Sequence, residues 1–270
     1  MRAMEEKVRN GVVITAFSTA SAVGKTLLGI NMAAELARSG YKVLLADLDL
    51  QFGDVCHYLH AAPRFSLYDA LQPAADPAAC ITPYAHNDVE FAVLAAPLRL
   101  EEAYNVATPA VSALLTGLRR DYDYIVLDTA AAFSDLNLAV MDLSTIITFV
   151  GIVDFIPTIK NMKIGYDTMR SIGYDRNKIR LVLNRSNSKT HIELQDVEQL
   201  LEDRFYHVLP NQFSAAAASI HQGIPLVLDA AETDLGKSLR ELVAKYCNRL
   251  PADGEPGGAS LSGWVKRLFR

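Results

Sequence analysis

One stretch limits the fold more than any other. Gly11 to Phe17 (GVVITAF) is a continuous β-branched run, and a periodic helical segment, Thr26 to Arg38, follows it closely and ends at Gly40. A run that does not alternate reads as a strand buried on both faces, as in parallel sheets. Gly40 suits the end of a helix as a C-cap. Between strand and helix lies Gly24-Lys25-Thr26. That places a helix N-terminus at the carboxyl end of a strand, where open α/β sheets hold their ligands. Its free N–H groups and positive dipole end suit phosphate. Lys25 would reach the outer phosphates of a purine nucleotide, and the Thr26 hydroxyl would ligate magnesium. The alternative is a chance tripeptide in a turn. The full phosphate-loop pattern asks for glycine five residues before Gly24, and Thr19 stands there. Placement, not spelling, carries the reading.

Further strands are expected at 42–46, 89–95, 124–127, 145–153, 179–183 and 207–209. Helices are expected at 110–120, 136–143, 159–172, 192–204, 215–222 and 233–248. This alternation predicts a mostly parallel sheet of seven to eight strands with helices on both faces. One domain over residues 1–250 is expected, then a linker at 251–258 (PADGEPGG) and a short tail, 259–270. The net charge of −5 argues against a general nucleic-acid binder, which needs a basic face. Three scattered cysteines give no disulfide framework, so a reducing cytoplasm is expected. The first ten residues lack an apolar core, so no secretory leader is expected. No apolar run approaches the ~18 residues of a spanning helix.

Three aspartates extend the site. Asp47 and Asp49 follow the second strand, and alternate residues at a strand end face the same way. Asp128 ends the run Tyr124-Ile125-Val126-Leu127. Carboxylates there can hold the waters of a magnesium ion, and one near the outermost phosphate can orient an attacking water. Any single one could instead cap a turn or helix; three at strand ends are harder to explain that way.

These residues, with Leu183-Asn184-Arg185 and Leu209-Pro210-Asn211 further on, resemble the MinD/ParA class of deviant-Walker ATPases. The segments 47–54 (DLDLQFGD), 133–138 (FSDLNL) and 220–228 are most similar to the CpaE/TadZ branch, associated with positioning and assembly of Flp/Tad-type pili. The resemblance runs over about residues 10 to 248, without the receiver-like domain that many members carry ahead of the ATPase. It implies a three-layer α/β P-loop NTPase fold, ATP and Mg2+ as ligands, and an ATP-dependent homodimer. By resemblance, Ala22, Val23, Gly24, Lys25, Thr26 and Leu27 form the phosphate loop, with Lys25 and Asp49 in the catalytic roles. Thr26, Asp47 and Asp128 serve the magnesium. Asn184 and Arg185 lie with Pro210 and Asn211 at the base, and Asn184 reads the adenine edge.

The departures carry information too. The family loop reads Lys-Gly-Gly-x-Gly-Lys-Thr, and its first lysine crosses a dimer to the partner's phosphates. Here that position is Ala20, and Ser21 and Ala22 replace the glycines. A family threonine after Thr26 is Leu27, and the segment Asp128-Thr129-Ala130-Ala131-Ala132 lacks the usual proline and glycine. Slow turnover is the expectation.

In the tail, Leu261, Trp264, Val265, Leu268 and Phe269 fall within an arc of about 140° on a helix, with Lys266, Arg267 and Arg270 opposite. This is the composition of an interfacial helix on an anionic membrane, and it resembles the membrane-targeting helix of MinD. A helix docked on its own domain or on a partner is the alternative. Cys56-His57-x-x-His60 has no second cluster to complete a zinc site. The expected function is therefore a peripheral ATPase on the inner face of the membrane that localises pilus-assembly or other proteins. The alternatives are a nucleotide-bound scaffold without relevant hydrolysis and, less in keeping with the charge, a DNA-partition ATPase.

Overall fold

The computed structural model describes residues 10–186 and 192–247. The linker and tail expected at 251–270 lie outside the described residues. Eight strands form one sheet: β1 (Val12–Phe17), β2 (Val43–Leu48), β3 (Thr82–His86), β4 (Val89–Leu94), β5 (Tyr124–Thr129), β6 (Ile146–Gly151), β7 (Ile179–Ser186) and β8 (His207–Pro210). Their order is β3-β4-β2-β5-β1-β6-β7-β8. Every pair is parallel except β3–β4.

The strands β1, β2, β5 and β6 read as unbroken apolar runs because both faces are covered. On one face, Ile14, Ala16, Val43, Leu45 and Val126 pack with α1 (Lys25–Arg38) and the late helices. On the other, Val13, Leu44, Ile125 and Leu127 belong to one cluster, and Phe17, Phe149, Leu181 and Leu183 to a second. The intervening helices run in chain order. Short ones are α2 (Val55–Tyr58), α3 (Leu67–Ala70) and α4 (Leu100–Ala103). Longer ones are α5 (Thr108–Leu118), α6 (Asp135–Leu143), α7 (Ile156–Ser171), α8 (Leu194–Leu201) and α9 (Phe213–Gln222). α10 (Leu226–Asp229) and α11 (Asp234–Cys247) complete the set. The result is the expected three-layer α/β fold.

One strand differs from the sequence reading. β3 carries Pro83 and alternates in exposure, so it offers no apolar run. It forms because Asn87, in the left-handed region at φ 50°, turns the chain between His86 and Val89 into an antiparallel edge hairpin.

Candidate functional site

The site lies where the fold predicts, at the carboxyl ends of the parallel strands. Gly24 precedes α1 in a left-handed conformation, φ 95°, and no side chain caps the helix. The first turn of α1 contains no acidic residue, so no carboxylate of that turn competes with an anion for its orphan N–H groups. Lys25 is buried there. Upstream, the Ser18 hydroxyl donates to the Ala20 carbonyl (2.5 Å) and accepts from the Ala20 N–H (2.9 Å), folding the start of the loop onto itself.

The β2–β5 register sets Asp47 directly beside Asp128. Both lie on the face that carries α1, and both are buried. The Thr26 hydroxyl donates to Asp128 Oδ2 at 2.6 Å. The other oxygen, Oδ1, is buried and has no hydrogen-bond partner among the described residues. Desolvation pushes Asp128 up to about 6, although the Thr26 hydroxyl and the Lys25 charge pull the other way. Burial, and the Asp128 charge beside it, raise Asp47 well above the usual carboxylate range. Each of these two buried carboxylates raises the cost of charging the other, a cost that a cation beside them would offset.

Asp47 also shapes the loop that follows. Its Oδ1 accepts from the Asp49 N–H (3.1 Å) and its Oδ2 from the Val55 N–H (3.1 Å). A Cβ on Gly53 would stand 2.5 Å from Asp47 Oδ2, so glycine is required where the loop crosses the carboxylate. This arrangement carries Asp49 and Asp54 to the rim of a cavity of about 790 Å3.

The same cavity gathers residues far apart in sequence. Ala22, Gly24, Lys25, Thr26 and Leu27 line one side, and Asn184, Arg185, Pro210 and Asn211 another. Val23, Asp47 and Asp128 lie buried beneath it. The Asn184 Nδ2 donates to the Val23 carbonyl (2.8 Å), while its Oδ1 accepts from the Arg185 N–H (2.9 Å). An amide nitrogen carries two hydrogens, so that bond uses one of them. The Arg185 Nη2 donates to the Ala22 carbonyl at 2.8 Å. Ala20 is half-buried against the core beneath α1.

Sequence reasoning missed other contributors to the cavity: Tyr58 and His57 after β2, and Phe213, Ala216 and Ile220 on α9. The turn after β2 brings in the first two, and α9 the other three. It also missed Asn137, which is buried and whose Nδ2 donates to both the Ala130 carbonyl (2.8 Å) and the Ala132 carbonyl (2.7 Å). The stretch after Asp128, which lacks the family's proline and glycine, is thus tied down by one amide. A buried amide inside a helix preceded by an alanine run is the signal that could have found it.

A P-loop, a pair of buried aspartates at neighbouring strand ends and a cavity that joins the loop after β1 to the ends of β7 and β8 define a nucleotide-binding protein. A sequence model of the CobQ/CobB/MinD/ParA nucleotide binding domain matches residues 14–226, and the chain belongs to this family. It is 24% identical over 245 residues to the sporulation initiation inhibitor protein Soj of Bacillus subtilis (strain 168), covering 81% of this chain and 91% of Soj. A second match, 32% identical over 112 residues, is to the succinoglycan biosynthesis transport protein ExoP of Rhizobium meliloti (strain 1021); it spans 40% of this chain and only 14% of ExoP. Among solved structures, a ParA family ATPase from Chlorobium tepidum TLS superposes with a TM-score of 0.79 at 18% identity, covering 87% of this chain and 98% of that one. The septum site-determining protein MinD of Pyrococcus horikoshii OT3, solved with Mg-ADP, gives 0.77 at 19% identity, with 87% and 96% covered. No helix among the described residues is long and apolar enough to cross a membrane.

Proposed function

We propose that this chain is a MinD/ParA-type ATPase that holds Mg-ATP, hydrolyses it slowly and organises the location of other proteins at a membrane surface. The observation that carries the reading is the single cavity joining the phosphate loop to the ends of β7 and β8, with Asp47 and Asp128 buried below.

The residues fit magnesium. This hard ion takes oxygen donors and keeps several waters, and the Thr26 hydroxyl, the unpartnered Asp128 Oδ1 and Asp47 are oxygen donors placed together. Bound there, the ion would neutralise phosphate charge. The chain's own groups do the rest. Lys25 and the N–H groups of α1 bind the phosphates. Asn184 has an amide hydrogen left for the edge of the base after holding Val23. Pro210 and Asn211 border the base, and Asp49 at the cavity rim orients the attacking water. Ala20 supplies no charge to a partner's transition state, and losing one such contact costs on the order of 100-fold in rate.

The similarity of 47–54, 133–138 and 220–228 to the CpaE/TadZ branch supports pilus-assembly proteins as the cargo. An ATP-dependent homodimer and attachment through the amphipathic face of 261–269 complete the proposal. Mg-ATP titration followed by single-turnover measurement tests it. Wild type binds with Lys25→Ala at least tenfold weaker, and turns over far more slowly than Soj-like relatives assayed alongside. Equal binding by Lys25→Ala would sink the site; turnover equal to the relatives would sink slow hydrolysis.

A further inference from the structure

We propose that Arg185 is a positioning residue for phosphate: it shapes the loop, and it is needed because this loop lacks two glycines. The inference rests on the nucleotide-binding reading above.

Two consecutive carbonyls of the loop are held from outside. The Ala22 carbonyl accepts from Arg185 Nη2, and the Val23 carbonyl from Asn184 Nδ2, each at 2.8 Å. Both donors stand at the end of β7. The described peptide bonds are all trans, and a trans peptide points its N–H opposite to its carbonyl. Drawing the two carbonyls toward β7 therefore turns the Val23 and Gly24 N–H groups away from β7, and in this proposal these are the groups that face the phosphate. Successive N–H groups aimed into one hollow form an anion nest.

The backbone is strained where the hold is applied. Ala22 sits at φ 58° and Arg185 at φ 54°, both in the left-handed region. Five residues other than glycine do so among the described residues, and these two meet across one hydrogen bond. Such conformations persist only where the surroundings over-determine them. Glycine would occupy position 22 without strain and need no outside hold. Asn184 completes the brace: a Cβ on Gly24 would stand 2.4 Å from its Nδ2, so its amide lies flat against the loop. The loop's lost conformational freedom has been replaced by two side chains from another strand.

The experiment uses the full chain, with tripolyphosphate and adenosine as separate competitors of a fluorescent ADP. Arg185→Ala should weaken tripolyphosphate and ADP about tenfold, the scale of one lost hydrogen bond from a charged donor, and leave adenosine unchanged. Arg185→Lys, which keeps a donor, should recover most of the loss. Ala22→Gly in the Arg185→Ala background should restore tripolyphosphate binding. The proposal is overturned if adenosine weakens while tripolyphosphate does not, or if Ala22→Gly restores nothing. Wild-type ADP binding reads the parent proposal independently: a wild type that binds with Arg185→Ala as its equal defeats the brace alone. Should Arg185→Ala fail to fold, Arg185→Met, which keeps the stem without the donor, takes its place: it should weaken tripolyphosphate in the wild-type background and not in the Ala22→Gly background, and an equal loss in both overturns the proposal.

Discussion

Burial raises the Asp128 carboxyl to about 6, opposed by the Thr26 hydroxyl and the Lys25 charge and assisted by the charges of Asp49 and Asp54. A raised carboxyl pKa means the folded chain binds more protons than the unfolded one between pH of about 4 and 6. Its contribution to stability therefore falls as pH rises through that window and stays low above it. Asp128→Asn removes the penalty while keeping an acceptor for Thr26. Without ligand at pH 7.5 it should be more stable than wild type by about 1–3 kcal/mol in urea unfolding, with the gap closing near pH 4. The same variant should lose magnesium-dependent nucleotide binding. A variant less stable than wild type at pH 7.5 would refute this account. Asp128, Lys25 and Thr26 were legible in the sequence because each ends or begins an element with an obvious period. Asn137 and Gly53 were not. Their work is to hold, or to make room for, groups that only the folded chain brings to them.

Between elements, α1 is fastened to α10 by a buried amide. The Asn31 Nδ2 donates to the Leu27 carbonyl (2.8 Å), and its Oδ1 accepts from the Val227 N–H (3.0 Å). Asn31→Leu would leave the buried Val227 N–H without a partner, at a cost of about 1–3 kcal/mol; equilibrium unfolding should show that loss, and a neutral result would mean that α10 re-forms its contacts elsewhere. β8 is fastened to α11 through His207, whose Nε2 lies 2.8 Å from the Ser238 carbonyl and whose Nδ1 lies 2.9 Å from Lys245 Nζ. Burial, and then the Lys245 charge, lower its pKa below the ordinary 6.5, against the Ser238 carbonyl and Glu241. Here the unfolded chain binds the extra proton, so this contribution is intact above about pH 6.5 and is lost as pH falls through the lowered folded value. His207→Gln should flatten that acid limb; an unchanged slope between pH 7 and 5 would remove His207 as its source. Element type was readable wherever both faces of a strand are buried. β3 was not, because its pairing is set by the turn at Asn87 and not by any apolar period of its own.

At the scale of the molecule, the sequence reading of a mostly parallel sheet agrees with the fold, and a cavity lies at the ends of its strands. The contributions of α2 and α9 to the cavity, His57, Tyr58, Phe213, Ala216 and Ile220, did not follow from sequence, since none of these residues ends a strand or belongs to the phosphate loop. If the tail is the membrane anchor, full-length protein should float with anionic vesicles and Trp264→Glu should not, and floating should strengthen with Mg-ATP if two tails act together. Equal flotation of both would assign the contact to another surface. The amide of Asn137 has a last consequence. With the carbonyls of Ala130 and Ala132 tied to one nitrogen, the segment after β5 has little slack to take up. Hydrogen exchange over 130–134 should then be the same with ADP as with a non-hydrolysable ATP analogue. The difference between the two loaded states would then be read at the face that a second copy covers, and not through movement of this segment.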